Sequence, residues 1–227
     1  MQVNGWLLGK FSRGKKRRDE ERKKRRKKMQ IRNPDVTKHN ILLAAEEEFA
    51  QFGLHGARIN SIAEKSGANK RMIYHYYGSK EKLYESVLGY NFKKLAQLGN
   101  QLILAEREEE TAIREIIARY YRFLEENPNF VKIFAWEEVF TTSYNKKTLF
   151  ETLAPAFYQL DNFYQKGCKK GIFQEEIDLA QLIVSTHAMS LISFTQWDIL
   201  VDMNPEYTKE KRLEHICKVV LRVIHKT

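Results

Sequence analysis

No apolar run in the 227 residues approaches the ~20 positions that a membrane-spanning helix needs. Near the first residue the longest apolar run is Trp6-Leu7-Leu8, too short for the core of a secretory signal peptide, and a cytoplasmic location is expected. Cysteine is scarce. Cys168 and Cys217 stand in separate stretches without metal-ligand spacing, which fits reduced, buried or half-buried thiols. Strand-like alternation is missing, and no Asn-Gly turn stands between two such runs, which argues against a β-rich fold. Gly-x-Ser-x-Gly, a phosphate-binding glycine loop and His-Glu-x-x-His are all absent. Neither an enzyme nor a cofactor or metal is therefore expected. A hydrophobic share of 43% with 30% charged residues suits a globular protein, and no internal repeat is visible.

Charge is plentiful but unevenly placed. The net charge is +10, and residues 1–28 alone hold 13 Lys/Arg against 3 Asp/Glu. The other 199 residues hold 26 of each sign. Self-repulsion and little buriable surface favour a disordered or solvated basic extension over 1–28. Three readings stay open: an arm along phosphate that adds salt-dependent affinity, a true start at Met29, or a solvated tail without a role. Further on, residues 65–82 gather Lys65, Lys70, Arg71, Lys80 and Lys82 against Glu81 alone. That local excess attracts a polyanion.

The stretch from Ile59 to Lys80 explains the excess. Ile59, Ile62 and Ala63 recur at helical spacing and mark an inner face. Gly67 supplies the left-handed residue that ends a helix. Asn69 follows as a cap whose side-chain oxygen accepts a first-turn N–H. From Lys70 to Tyr77, Ile73 and Tyr77 face inward and leave Lys70, Arg71, Tyr74, His75 and Tyr76 around the remaining surface. Helix, short glycine turn, helix, with cations and phenols on the second, is the pattern of a DNA-reading helix-turn-helix.

Residues 35–88 resemble the N-terminal domain of the TetR family of bacterial transcription regulators. The resemblance rests on Phe49 to Gly53, the pair Ile62-Ala63, Gly67, the run Ile73-Tyr74-His75-Tyr76-Tyr77, and Ser79-Lys80-Glu81. It implies that Lys70 and Arg71 reach guanine acceptors in the major groove and that Met72 touches a thymine methyl. Tyr74, His75, Tyr76 and Lys80 match positions that hold phosphate, and Asn60 contacts a base or phosphate from the preceding helix. Arg58 departs from the family pattern, which has Thr or Ser there as a helix cap.

The rest of the chain reads as helices. Asn33-Pro34-Asp35 opens the first, whose apolar face is Ile41, Leu42, Ala45, Phe49 and Phe52 and whose end is Gly53. Ser79 caps a longer helix over roughly 80–104. Another covers 111–126. Asn127-Pro128 and Asn204-Pro205 each stop one helix and start the next. Between them helices are expected over 128–140, 145–169 and 178–201, with a last one over 205–225. Pro155 should kink or split the second of the three, and Asp178 with Gln181 has capping-box spacing.

Aromatic residues crowd the second half. One reading is an apolar effector pocket holding Tyr120, Phe134, Trp136 and Trp197, with Glu137, His187 or Gln196 as polar handles. The other is a core filled by large rings. The segment Ile183 to Trp197 carries Ser185, Ala188, Ser190 and Ser193, small residues that permit close helix approach. With the last helix it would join two copies, since one helix-turn-helix reads only a few base pairs.

The expected protein is all-α: a basic arm (1–28), a three-helix DNA-binding domain (29–80) and a larger helical bundle for ligand binding and dimerisation (81–227). The resemblance implies a homodimeric regulator of a palindromic double-stranded operator, most simply a repressor released by a small, largely apolar effector. Two alternatives remain: a nonspecific nucleic-acid binder acting through the arm, and a helical interaction module.

Overall fold

The structure is a computed structural model that describes residues 33–100, 108–140 and 146–226. The expected arm at 1–28 and the expected extension of the fourth helix to residue 104 lie outside the described residues. Ten helices occur among those described: α1 (Pro34–Gly56), α2 (Ile59–Ser66), α3 (Lys70–Tyr77), α4 (Lys80–Asn100), α5 (Glu109–Glu126), α6 (Pro128–Phe140), α7 (Lys146–Lys169), α8 (Leu179–Thr195), α9 (Trp197–Met203) and α10 (Lys209–Ile224). Strands are absent from the described residues, where Phe173 and His225 form an isolated bridge. None of the described helices is long and apolar enough to cross a membrane.

Local chemistry sets most boundaries. The Asn33 side chain accepts from the Asp35 and Val36 amides, and Pro34 needs no donor at the first helical position. Gly67 ends α2 at φ 68°. Asn69 Oδ1 accepts from the Met72 amide at 2.9 Å and starts α3. Ser79 Oγ accepts from the Lys82 amide and starts α4. Asp178 accepts from the Ala180 and Gln181 amides at the head of α8.

Four expectations need adjusting. The first helix breaks at Gly53 (φ 62°, ψ −178°) but a short turn resumes through Gly56, and Phe52 stands 44% exposed rather than inward. Of the two outcomes expected at Pro155, the split does not occur: α7 runs through it as one helix. The helix expected over 178–201 divides at Gln196, whose backbone leaves the helical region. The last helix starts at Lys209 with Thr208 as its cap, because Asn204 turns its side chain to the Glu206 amide instead.

Burial forms two cores. The first joins Ile41, Phe49, Ile62, Ile73 and Leu83 to Phe123, Phe130 and Ile133 of α5 and α6. It therefore runs on beyond the helix-turn-helix segment. The second joins Ile113, Tyr121, Tyr164, Phe173, Ile216 and Val220. Cys168 and Cys217 are both buried there, and burial pushes each thiol above its ordinary pKa.

In the second core the Phe173 ring stacks on Tyr164 at 5.3 Å and lies over Gly167. A Cβ at Gly167 would stand 2.1 Å from Phe173 Cδ2. The ring is fully buried and has nowhere to retreat. Gly167→Ala is expected to destabilise the protein by about 2 kcal/mol, through overpacking that outweighs the helix propensity gained. Thermal unfolding of the two proteins checks this; a midpoint equal to or above wild type would refute it.

Candidate nucleic-acid interface and apolar cavity

Helix α3 is anchored by two side chains. Ile73 is buried, and the buried Tyr77 donates its hydroxyl to the Lys38 carbonyl of α1 at 2.7 Å. Burial pushes the Tyr77 phenol up to about 12, so it remains a donor. With that face fixed, Lys70, Arg71, Tyr74 and His75 are exposed, as is Asn60 on α2. Met72 and Tyr76 are half-buried, and the His75 and Tyr76 rings meet edge-on at 5.4 Å. Lys80 differs from the other cations. Its ammonium lies 3.4 Å from the His55 carbonyl and 3.3 Å from that of Ala57, so it closes the end of α1.

Glu48 is the residue that sequence reading missed. It sits on α1 with its side chain 2% exposed. One carboxylate oxygen accepts from the Arg58 amide at 3.1 Å; the other accepts from the Ser61 hydroxyl at 2.6 Å and pairs with Lys65 at 3.0 Å. Arg58 makes no side-chain cap for α2, so Glu48 supplies one from another helix. Burial alone would raise its pKa; Ser61, Lys65 and the Arg58 amide outweigh this and hold it below the ordinary carboxylate value. The signal was available: Glu48 follows Ile41 and Ala45 at seven and three positions, on the apolar stripe.

Residues of α4 to α8 and α10 line a half-open cavity of about 380 Å³. Leu95 of α4, Ile117 and Tyr120 of α5, Phe134 of α6, Leu160 of α7 and His187 of α8 are among its walls. The Tyr120 hydroxyl is hydrogen-bonded to His187 Nδ1, and Phe134 meets the imidazole edge-on at 4.9 Å. Of the six residues expected in a pocket, the structure brings Tyr120, Phe134 and His187 together. Trp136, Glu137 and Trp197 are not part of the lining, and neither is Gln196.

Trp136 and Glu137 instead connect α6 to α1, a helix of the DNA-binding domain, and to α4, which follows the reading helix. The indole lies over Gly53, where a Cβ would stand 3.2 Å from Cδ2, and its Nε1 donates to the Ala50 carbonyl at 3.3 Å. That carbonyl lies just before the α1 break at Gly53. Glu137 accepts from the Tyr84 hydroxyl of α4. Burial first, and then the neighbouring carboxylate, hold the Tyr84 phenol well above its ordinary pKa, so it donates.

The small-residue stripe on α8 splits in two. Ser190 and Ser193 are fully buried, and Arg212 of α10 reaches Ser193 Oγ at 3.3 Å and the Met189 carbonyl at 3.1 Å. Ser185 and Ala188 are exposed, and the exposed Val184 stands at the rim of the cavity. On α9 the exposed apolar residues are Ile199 and Met203.

Fold and site define an all-helical, helix-turn-helix protein whose reading helix is tied to a cavity-bearing bundle. Comparison with known proteins is consistent with this class. A family model described as bacterial regulatory proteins, tetR family, matches residues 41–87. A second, described as tetracyclin repressor-like, C-terminal domain, matches residues 110–223. The chain is 34% identical over 161 residues to the HTH-type transcriptional repressor NicS of Pseudomonas putida, covering 70% of this chain and 73% of that one. It is 37% identical over 109 residues to the repressor SCO4008 of Streptomyces coelicolor, covering 48% of this chain and 53% of that one. Among solved structures, the regulator FadR of Bacillus subtilis with stearoyl-CoA superposes with a TM-score of 0.67 at 19% identity, over 82% of this chain and 99% of that one. The chain belongs to the TetR family, whose members are DNA-binding transcription regulators and not enzymes.

Proposed function

We propose that this regulator represses transcription from a palindromic operator as a cytoplasmic homodimer, and that an effector in the cavity releases it. One observation carries the reading: α6 holds both a cavity wall and the grip on the DNA-binding helices. Phe130 and Phe134 line the cavity, while Trp136 and Glu137 hold α1 and α4. Helix α4 adds a second link, since Leu95 and Leu98 line the cavity and Gly78 joins its start to α3. An effector that favours a shifted α6 would bias the angle of the reading head.

Lys70 and Arg71 read base edges, with Met72 at a thymine methyl. Tyr74, His75 and Tyr76 hold phosphate, and Asn60 supports them from α2. Lys80 acts mainly by fixing the turn before α2. The second copy sits on the outward face of α8, where Ser185 and Ala188 are uncharged and a face can meet its own image without like-charge repulsion. Ile199 and the 78% exposed Met203 extend that face.

Selection from random duplexes should recover an inverted repeat with half-sites about one helical turn apart. A compound screen on the resulting complex should then yield a releasing effector. Trp136→Ala is expected to keep operator affinity and effector affinity within about threefold of wild type, while cutting effector-induced release from at least about 10-fold to under threefold. Titrations of each ligand with and without the other measure this. Full release in the variant would rule out the α6 route.

A further inference from the structure

Resting on the effector reading above, we infer that the molecule filling the cavity is uncharged: a hydrocarbon or aromatic body with one neutral hydrogen-bonding group at the Tyr120–His187 pair. The described lining residues include no Lys, Arg, Asp or Glu. Two of the lining hydroxyls are turned to the backbone. Thr186 Oγ1 donates to the Leu182 carbonyl at 2.8 Å, and the Tyr164 hydroxyl donates to the Gln174 carbonyl at 2.8 Å. Among the described lining residues, polar chemistry is therefore concentrated at the Tyr120 hydroxyl and the His187 ring, which meet across α5 and α8.

An ionised head group would leave water for a lining that offers no fixed counter-charge among these residues, and the desolvation would go uncompensated. A neutral hydroxyl, amide or carbonyl needs only a donor or acceptor, and the phenol and imidazole supply both. The remaining walls are side chains of Leu, Ile, Val, Ala and Phe, which reward apolar area and not charge. A volume of about 380 Å³ lies within the range of small-molecule sites.

The test uses the full chain and N-phenyl-1-naphthylamine, an uncharged dye that brightens in apolar surroundings. It is displaced at neutral pH by 1-decanol, decanoate and decylammonium, one chain length with three head-group charges. The alcohol is expected to displace the dye at concentrations about 30-fold lower than either ion. In the Tyr120→Phe/His187→Leu variant the alcohol should weaken about 10-fold while the ions stay as they were. Decanoate or decylammonium acting as well as the alcohol overturns the charge assignment and leaves the cavity reading in place. An unchanged alcohol in the double variant overturns the role given to Tyr120 and His187. If the dye does not bind, or none of the three displaces it, the effector-cavity reading itself falls.

Discussion

Arg71→Ala is expected to weaken binding to the selected operator by about 10- to 100-fold, with most of the loss confined to one base pair in each half-site. The basis is position. Arg71 is exposed in the first turn of α3, and this end of a recognition helix enters the major groove. Asn69 holds that turn through the Met72 amide, and Ile73 and Tyr77 fix its rotation from beneath. A guanidinium there presents two parallel donors to the O6 and N7 acceptors of guanine. Random duplex offers the same phosphates but no fixed guanine, so its affinity should fall by only about threefold, the share of one screened charge. Arg71→Lys separates charge from shape. It should restore binding to random duplex without restoring discrimination, because an ammonium lacks the planar fork. Titrations on operator and scrambled duplex at two salt concentrations give all of these values. Equal losses on both duplexes would move Arg71 from base reading to phosphate contact. Folding should be untouched, since an exposed side chain of this kind changes stability by within about 0.5 kcal/mol.

The reading helix was legible because its determinants are neighbours in the chain. Gly67, Asn69, Ile73 and Tyr77 lie within ten positions, and turn chemistry with helical spacing places them without reference to the rest of the molecule. The same holds for Asn33, Ser79 and Asp178. What could not be read is the destination of long-range contacts. Trp136 donates to a carbonyl 86 positions away, and nothing local says which neighbour an aromatic on α6 will meet. Periodicity did hold part of the answer. Two residues along a helix turn it by about 200°, so Trp136 does not share the face of Phe134. Glu137 returns toward that face but is taken by Tyr84. The break at Gln196 has neither Gly nor Pro to announce it. The outward half of the α8 stripe was also unreadable: Ser190 and Ser193 look like Ser185 in sequence, and only their burial against the rest of the bundle, with Arg212 of α10 reaching Ser193, tells them apart.

Glu48 is where that long-range blindness has the largest energetic consequence. Glu48→Ala is expected to destabilise the protein by about 3 kcal/mol, combining a lost helix cap with a lost buried acceptor for the Ser61 hydroxyl and Lys65. On a chain of this size that is a fall in unfolding midpoint of roughly 6–12 °C. Lys65→Ala should cost only about 1 kcal/mol, because the ammonium is partly in solvent and the carboxylate keeps its two other donors. The charge also sets a pH dependence. The folded carboxyl lies below its ordinary pKa, so the stability it confers is complete above the unfolded value near ~4.3 and is lost as pH falls through the folded value. The gap between wild type and Glu48→Ala should therefore be widest near neutrality and close in acid. A gap independent of pH would mean that the side chain acts by filling space alone. Operator affinity offers a second readout. Glu48 ties the start of α2 to α1, and α2 carries Asn60 and leads through Gly67 into the reading helix. The variant should thus bind operator more weakly even well below its unfolding midpoint, where Arg71→Ala, by contrast, leaves the fold intact.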